Sequence, residues 1–348
     1  MTTFSLSAAC SVRLRRISVR SCWAQVFRTE LPIPPRSAEL SGNVFLHGTV
    51  NRNYTFIINP VAGGGKAAGR GKGISRALAG EPAAQTRWTE YAGHARELAR
   101  CALSSGKAVI ACGGDGTAHE VANELACSKV CLGVLPAGTA NDFIKSFNHG
   151  FGSDFRPAAY LRAAEAAADL GRVSVGDGFT RYFINSFGIG FTGLIARQVR
   201  RSGWLRGESA YLYALLRVLL GYAPVKMHIK LVTPDESLEI EESVFAFSIG
   251  NGRVEGGRFL IAPDAEIDDG LLDVCILKAI PRRDFFRYAL KYMRGTQIHD
   301  SMVLYRKVRA VEIVLHAPTV MHMDGEVFED VGGCVRVESA PDAIMLLR

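Results

Sequence analysis

No stretch of this 348-residue sequence reaches the roughly 18 to 20 consecutive apolar residues of a membrane-spanning helix; the longest, Ala210 to Val225, is broken by Arg217. An integral helical membrane protein is therefore not expected. The eight cysteines lack any paired spacing: Cys127 and Cys131 lie close, but no second pair or histidine cluster completes a zinc site. Buried free thiols in a reducing compartment are expected, without a disulfide framework. Net charge is also scarce. The chain has 41 Lys and Arg against 34 Asp and Glu, and of the resulting +7 the first 50 residues hold +4, through six arginines (Arg13, Arg15, Arg16, Arg20, Arg28, Arg36) and two acids (Glu30, Glu39). The remaining +3 is too small to argue for nucleic acid as a partner. At 48% hydrophobic and 22% charged, the composition excludes wholesale disorder, collagen and a coiled coil, and the length predicts two domains.

Residues 1–50 stand apart as a leader. No acid precedes Glu30, and Ser and Arg are frequent, a composition similar to an organellar transit peptide over residues 1–30. An unstructured extension from an upstream start codon fits equally, whereas the apolar run of a secretory signal is missing.

From Tyr54 the pattern becomes regular. Tyr54 to Asn59 is a short apolar run stopped by Pro60 and the glycines at 63 to 65, which predicts a buried strand entering a Gly-rich loop. Strands over Thr86 to Glu90, Lys107 to Cys112 and Cys131 to Leu135 then alternate with helical segments over 93–104 and Thr117 to Ala126, and a helix-like, Ala-rich segment spans Pro157 to Ala168. Such alternation predicts an α/β domain with a parallel sheet over residues 51–170. Beyond it, Tyr182 to Phe187, Val225 to Val232, Leu238 to Ile249, Leu271 to Ile280, Val308 to Leu315, Val320 to Met323 and Cys334 to Val337 are strand-like with few helices between them. A mainly antiparallel β-sandwich over 171–348 is expected, packed beside the first domain with a cleft between.

Three loops at the carboxyl ends of the first domain's strands carry the chemistry. Gly113-Gly114-Asp115-Gly116-Thr117 follows an apolar strand and opens a helix bearing Glu120 and Asn123. Glycines there let backbone N–H groups approach phosphate oxygens, and the helix N-terminus adds partial positive charge. Asp115 suits magnesium bridging to a phosphate. The loop Asn59-Pro60-Val61-Ala62-Gly63-Gly64-Gly65-Lys66 holds the corresponding position after the first strand but is not a Walker A loop. Leu135-Pro136-Ala137-Gly138-Thr139-Ala140-Asn141-Asp142-Phe143 follows the fourth strand. Gly188-Ile189-Gly190-Phe191-Thr192-Gly193 matches GxGxxG, yet it lies in the strand-rich half with no βαβ unit around it, so a nicotinamide or flavin site is not expected there.

These loops, together with Asp269-Gly270-Leu271-Leu272-Asp273-Val274 and Asp324-Gly325-Glu326, resemble the diacylglycerol kinase catalytic domain family, which includes sphingosine kinases and soluble bacterial diacylglycerol kinases. The resemblance runs over about residues 54 to 348 and leaves the leader outside. It implies an ATP-dependent lipid kinase, with nucleotide held by the first domain and lipid bound near the cleft by the β-rich second. Carried over residue by residue, it implies a nucleotide site at Asn59, Pro60, Val61, Ala62, Gly63, Thr89, Gly113, Gly114, Asp115, Gly116, Thr117, Glu120 and Thr139. It also implies a catalytic pair, Asp324 and Glu326, of which Asp324 is preferred as the base, with Asp115 beside them. Glu266, Asp269 and the backbone carbonyl of Leu271 match a second, structural magnesium site, although Glu266 stands where aspartate is often found.

Phosphoryl transfer to a lipid hydroxyl independently requires a carboxylate, magnesium and loops that align donor and acceptor. Diacylglycerol is the acceptor of choice, with a sphingoid base or another lipid alcohol as the alternative. An inactive lipid-binding module is the rival from another class, and NAD kinase and 6-phosphofructokinase are the enzymatic ones. The stretch Pro281 to Arg294 sets Arg282, Arg283, Arg287, Lys291 and Arg294 among Phe285, Phe286, Tyr288 and Tyr292. It reads either as a helix lying on an anionic leaflet or as one packing its aromatics on the sheet. Arg197, Arg200, Arg201 and Arg206 pose the same choice. A cytoplasmic enzyme, peripheral at an anionic membrane surface, is expected; a homodimer is left open.

Overall fold

The computed structural model describes residues 53–147, 156–176, 178–202 and 208–348, so the leader and Arg206 lie outside the described residues. The strands are β1 (Tyr54–Ile58), β2 (Ala84–Trp88), β3 (Ala108–Gly113), β4 (Cys131–Pro136), β5 (Glu165–Val175), β6 (Phe179–Phe183), β7 (Ser186–Gly190), β8 (Val225–Val232), β9 (Ser237–Gly250), β10 (Val254–Glu255), β11 (Phe259–Leu260), β12 (Leu272–Lys278), β13 (Val303–Val308), β14 (Ala310–Met323) and β15 (Glu326–Leu347). The α-helices are α1 (Lys66–Ala77), α2 (His94–Ser104), α3 (Asp115–Leu125), α4 (Asp142–Phe147), α5 (Phe191–Arg201), α6 (Glu208–Gly221) and α7 (Phe285–Arg294).

The apolar run of β1 is buried along its whole length because it lies between β2 and β3, both parallel to it, with β4 parallel to β3. Connections of this kind leave the loops after β1, β3 and β4 along one edge of the sheet. The last strand then returns to this half: Met345 and Leu346 of β15 pair parallel with β4, and Ile344 and Leu346 enter the core beneath α2 and α3. The hydrogen-bonded sheet is thus continuous through both halves.

In the second half the pairing is antiparallel, and β8, β9, β7 and β14 close on one another, each bonded to the next and β8 back to β14. The long β14 makes this closure possible by changing neighbours midway. Residues 310–315 pair with β8 and 321–323 with β7, with the register shifting around Pro318, which cannot donate to a ladder. The enclosed core includes Phe187, Ile189, Met227, Phe247, Ile313 and Met321.

Two sequence expectations change. Pro157 to Ala168 is not one helix: a 3-10 turn covers Pro157–Arg162, and β5 starts at Glu165. The run Tyr182 to Phe187 is not one strand but the end of β6, a break at Ile184 and Asn185, and the start of β7. Gly188 to Gly193 does form a strand-to-helix turn into α5, but β7 pairs antiparallel with both β9 and β14. Its last glycine serves packing, since a Cβ on Gly193 would stand 2.3 Å from the Val320 carbonyl oxygen.

Candidate active site

The three loops of the first half are packed backbone against backbone. A Cβ on Gly138 would lie 2.3 Å from the Cα of Gly114, and one on Gly63, whose φ is +59°, would lie 2.6 Å from the Ala137 carbonyl oxygen. Side chains tie them further. Asn59 donates through Nδ2 to the Thr117 hydroxyl at 3.0 Å and accepts the Val61 amide through Oδ1 at 3.1 Å. Pro60, Ala62 and Gly116 belong to these same turns. Thr89 is buried and its amide bonds the Ile58 carbonyl at 2.9 Å, which places it beside the first loop. Glu120 is more than a solvated helix residue: its carboxylate accepts the Gly93 amide at 3.1 Å and so pins the loop carrying Thr89 to α3. The nucleotide-site residues expected from Asn59 through Glu120 therefore form one connected edge, and Thr139 joins Asp115 in the wall of the adjoining cavity.

That cavity, about 380 Å³, runs from Thr139 and Asp115 to Asp324, with Asn185, Glu255 and His322 also in its wall. This volume falls within the range of about 300–1,000 Å³ usual for ligand sites. Asp115 is the first residue of α3 and accepts the Phe143 amide at 3.3 Å. Burial, and then the nearby Asp142 carboxylate, push its carboxyl up to about 6. Asp142 is itself buried, and burial raises it as well, although it accepts from the Gly257 amide and the Lys145 ammonium.

Asp324 and Gly325 form the tight turn between β14 and β15, both with positive φ (49° and 84°), as the favoured two-residue hairpin requires. The hairpin turn and the chemistry coincide. The tip inserts into the break between β6 and β7: Asp324 Oδ1 accepts the amides of Asn185 and Ser186, and Oδ2 accepts the amide of Ile184, each at 2.9 Å. This capture coincides with the break at Ile184 and Asn185, where residues 182–187 divide between the end of β6 and the start of β7. A fourth donor is His119 on α3, whose Nδ1 lies 2.7 Å from Oδ2. His119 Nε2 lies 2.9 Å from Glu326. Burial alone would lower the imidazole, but its hydrogen bonds to Asp324 and then Glu326 outweigh it and raise it to about 9. In return, the bond from His119 lowers Glu326 despite partial burial. Asp324 and Glu326 are thus bridged by one buried imidazolium.

Magnesium suits the Asp115 position: an oxygen donor with a raised proton affinity faces a cavity that two further carboxylates approach. Among the described residues no three His, Cys, Asp or Glu side chains converge as a ready cage. Magnesium characteristically binds through one or two carboxylates plus substrate phosphates, so none is needed. The loop of Glu266, Asp269 and Leu271 stands apart from the cavity and is held by contacts of its own. Glu266 is exposed, the Leu271 amide bonds Asp269 at 2.9 Å, and the Lys307 ammonium sits 2.6 Å from Asp269 and 3.3 Å from Asp273. One lysine thus pairs with two carboxylates of that loop, which lies outside the cavity wall.

Residues 53–173 match the family model described as the diacylglycerol kinase catalytic domain, and residues 185–348 the one described as the YegS C-terminal NAD kinase beta sandwich-like domain. The diacylglycerol kinase of Bacillus subtilis is 30% identical over 246 residues, covering 69% of this chain and 78% of that protein. The chain belongs to the diacylglycerol kinase catalytic domain family. Within that family, a Pseudomonas aeruginosa protein named "Probable lipid kinase YegS-like" is 32% identical over 271 residues, covering 76% of this chain and 83% of its own. A solved diacylglycerol kinase from Bacillus anthracis shares the fold, with a TM-score of 0.61 at 20% identity, covering 85% of this chain and 96% of that one.

Sequence reasoning passed over His119, Asp142, Asn185, Glu255 and His322. His119 had a signal, since it precedes the selected Glu120 on the helix after the second loop. Asp142 lay inside the third loop. No spacing rule pointed to the others.

Proposed function

We propose that this protein transfers the γ-phosphoryl group of ATP to the hydroxyl of a lipid, with diacylglycerol as acceptor and phosphatidic acid as product. The observation that carries this reading is the single cavity joining Thr139 and Asp115, at the nucleotide loops, to Asp324. On its far side it shares Thr192, Ile195, Tyr211 and Glu255 with a smaller apolar cavity lined by Phe191, Leu215, Phe245 and Phe285. Such a passage suits a molecule with one reactive oxygen and a hydrocarbon body.

In the proposed reaction the lipid oxygen attacks the γ-phosphorus, the bond to the β-phosphate oxygen breaks, ADP departs and the hydroxyl proton is taken up by a carboxylate. The loops after β1, β3 and β4 would hold the nucleotide, and magnesium at Asp115 would supply charge neutralisation on the phosphates. Both Asp324 oxygens already accept two protein donors each, which makes Asp324 a firmly placed carboxylate. That suffices when the transition state is loose and little of the hydroxyl proton need move before the phosphorus–oxygen bond breaks. Asp324 is the proton acceptor in this proposal. Glu326 and His119 hold it in place.

A lipid kinase must meet its substrate at a bilayer, and two helices offer a surface for that. On α6, Leu212, Leu216 and Leu220 recur at four-residue spacing and are exposed; on α7, Phe286, Leu290 and Met293 are exposed at spacings of four and three. Such stripes normally face a core. The inner face of α7 is already satisfied, because Phe285 and Tyr288 are buried against Phe245 and Leu277. The two readings of Pro281 to Arg294 are therefore not rivals: one face packs its aromatics and the other presents apolar residues beside the exposed Arg283, Arg287 and Arg294. Arg282 fastens the two helices together by donating to the carbonyls of Leu220 and Tyr222 at 3.0 and 2.8 Å. This double stripe is proposed as the face that lies on an anionic leaflet.

Incubating the protein with labelled ATP, magnesium and a panel of acceptors on anionic vesicles tests the function. Labelled phosphatidic acid from diacylglycerol is expected. Label appearing only on a sphingoid base would replace the acceptor, and label only on NAD or a sugar phosphate would end the lipid reading.

A further inference from the structure

Two buried polar side chains in the cavity wall have no part in the phosphoryl transfer described above. His322 lies on β14 two residues before Asp324, with a side chain only 2% exposed. Neither of its ring nitrogens has a hydrogen-bond partner. Its Nε2 stands 3.4 Å from a carboxyl oxygen of Glu255, at the end of β10. Glu255 receives the Ser186 hydroxyl, while its Oε2 is buried without a partner. Buried groups of this kind are ordinarily satisfied, and an unsatisfied one calls for a ligand or water.

Their position indicates which part of a ligand. Both line the main cavity together with Asp324, and Glu255 also lines the smaller apolar one. A lipid alcohol with its hydroxyl at Asp324 and its hydrocarbon body directed toward the apolar cavity, which at about 60 Å³ admits only the first few methylenes, would carry its linking atoms past Glu255. We propose that Glu255 and His322 form a recognition subsite for an ester carbonyl adjacent to the reacting hydroxyl, and so select a diacylglyceride over lipid alcohols that lack that carbonyl. The inference rests on the lipid-kinase reading above and deepens it. The chemistry matches a neutral hydrogen-bond acceptor. Burial, and then the Asp142 carboxylate, hold the Glu255 carboxyl at about 8, so at neutral pH it carries a proton to donate. Burial holds His322 at about 4, which leaves it uncharged with one N–H available. A cationic amine next to the hydroxyl would instead need an ionised Glu255.

The test compares, within each protein variant, turnover of a diacylglycerol and of the chain-matched dialkylglycerol, in which ether links remove the carbonyls. Wild type is expected to favour the diester by about tenfold in kcat/KM, the size of one neutral hydrogen bond. Glu255→Ala should bring that ratio close to one, and Glu255→Gln, which still donates, should keep it. The ratio is insensitive to partial loss of folded protein. A wild-type ratio near one overturns the subsite, as does an unchanged ratio in Glu255→Ala. A sphingoid base preferred over the diester by wild type, with that preference lost in Glu255→Gln, overturns it in favour of amine recognition. If wild type phosphorylates neither glyceride, the diacylglycerol reading itself falls, a result separable from those in which glycerides are turned over without the expected discrimination.

Discussion

His119 and Asp324, 205 residues apart in sequence, share a hydrogen bond of 2.7 Å between two side chains that are 2% and 1% exposed. The bond joins the helix that opens at the second nucleotide loop to the hairpin tip of the second half. The loop that would hold ATP and the carboxylate that would meet the lipid hydroxyl are therefore tied together directly. Glu326, on the other ring nitrogen, completes a carboxylate–imidazolium–carboxylate chain.

Replacing Asp324 by Asn is expected to lower turnover at least about a hundredfold, the low end for a proton-transfer group. The amide is isosteric but brings an NH2 group against the four donors that now converge there. Thermal unfolding measured alongside separates lost chemistry from lost structure. Turnover within tenfold of wild type, in a variant of unchanged Tm, would remove Asp324 from the mechanism.

The His119 bridge sets a sign for the pH dependence of stability. Its folded value is raised to about 9 from an ordinary 6.5, so the folded state holds this proton more tightly than the unfolded chain. The stabilisation is complete below about 6.5 and is lost as pH rises through about 9. Tm of wild type minus Tm of His119→Asn should therefore shrink steadily between pH 6.5 and 9. Glu255 titrates in both proteins and cancels in that difference. A difference that stays flat across the window would show that the imidazole is not the cation between the two carboxylates.

What the sequence could and could not reveal follows from how far each feature depends on distant residues. The loops after β1, β3 and β4 were legible because glycine clusters after short apolar runs signal their conformation locally. The break between β6 and β7 was harder to read: Asn185-Ser186 gave only a weak local signal inside Tyr182 to Phe187, and the carboxylate that captures these amides comes from residue 324. The same distance hid the partners of His119. On α7 the composition was legible but its division between faces was not, since that depends on where the sheet lies. The acidic loop at Asp269 resembled a metal site in type and spacing, and its pairing with Lys307, 38 residues away in sequence, could not be read locally.

Close packing of the second and third loops makes Gly138 a test of the nucleotide site. A Cβ there would stand 2.3 Å from the Gly114 Cα and 2.9 Å from Asn141 Oδ1, so backbone must move to admit it. Gly138→Ala is expected to raise the KM for ATP by about tenfold or more, as misplaced positioning groups do, with a smaller change in the KM for lipid. Gly73→Ala serves as the control. It lies in α1 with nothing within 4 Å of a new Cβ, and exchanging glycine for alanine in a helix interior stabilises by about 0.5–1 kcal/mol. Equal KM values for ATP in wild type and Gly138→Ala would place the nucleotide elsewhere.

The paired stripes of α6 and α7 predict how the protein meets a bilayer. Leu216→Glu with Leu290→Glu puts a charge at the middle of each stripe, on side chains that are already 39% and 52% exposed. Folding should be little affected, and Tm should stay within a few degrees of wild type. Sedimentation with vesicles containing anionic lipid should show wild type bound and the double variant mostly free. Wild-type binding should also weaken as salt rises, because each cation near an anionic leaflet contributes about 1 kcal/mol that ions screen. Activity separates the surface from the active site. Against a short-chain diacylglycerol dispersed as monomers the double variant should match wild type, and against the same headgroup in vesicles it should fall at least about tenfold, the equivalent of roughly 1.4 kcal/mol of lost membrane binding. Equal vesicle binding by the two proteins would show that the stripes face something other than lipid.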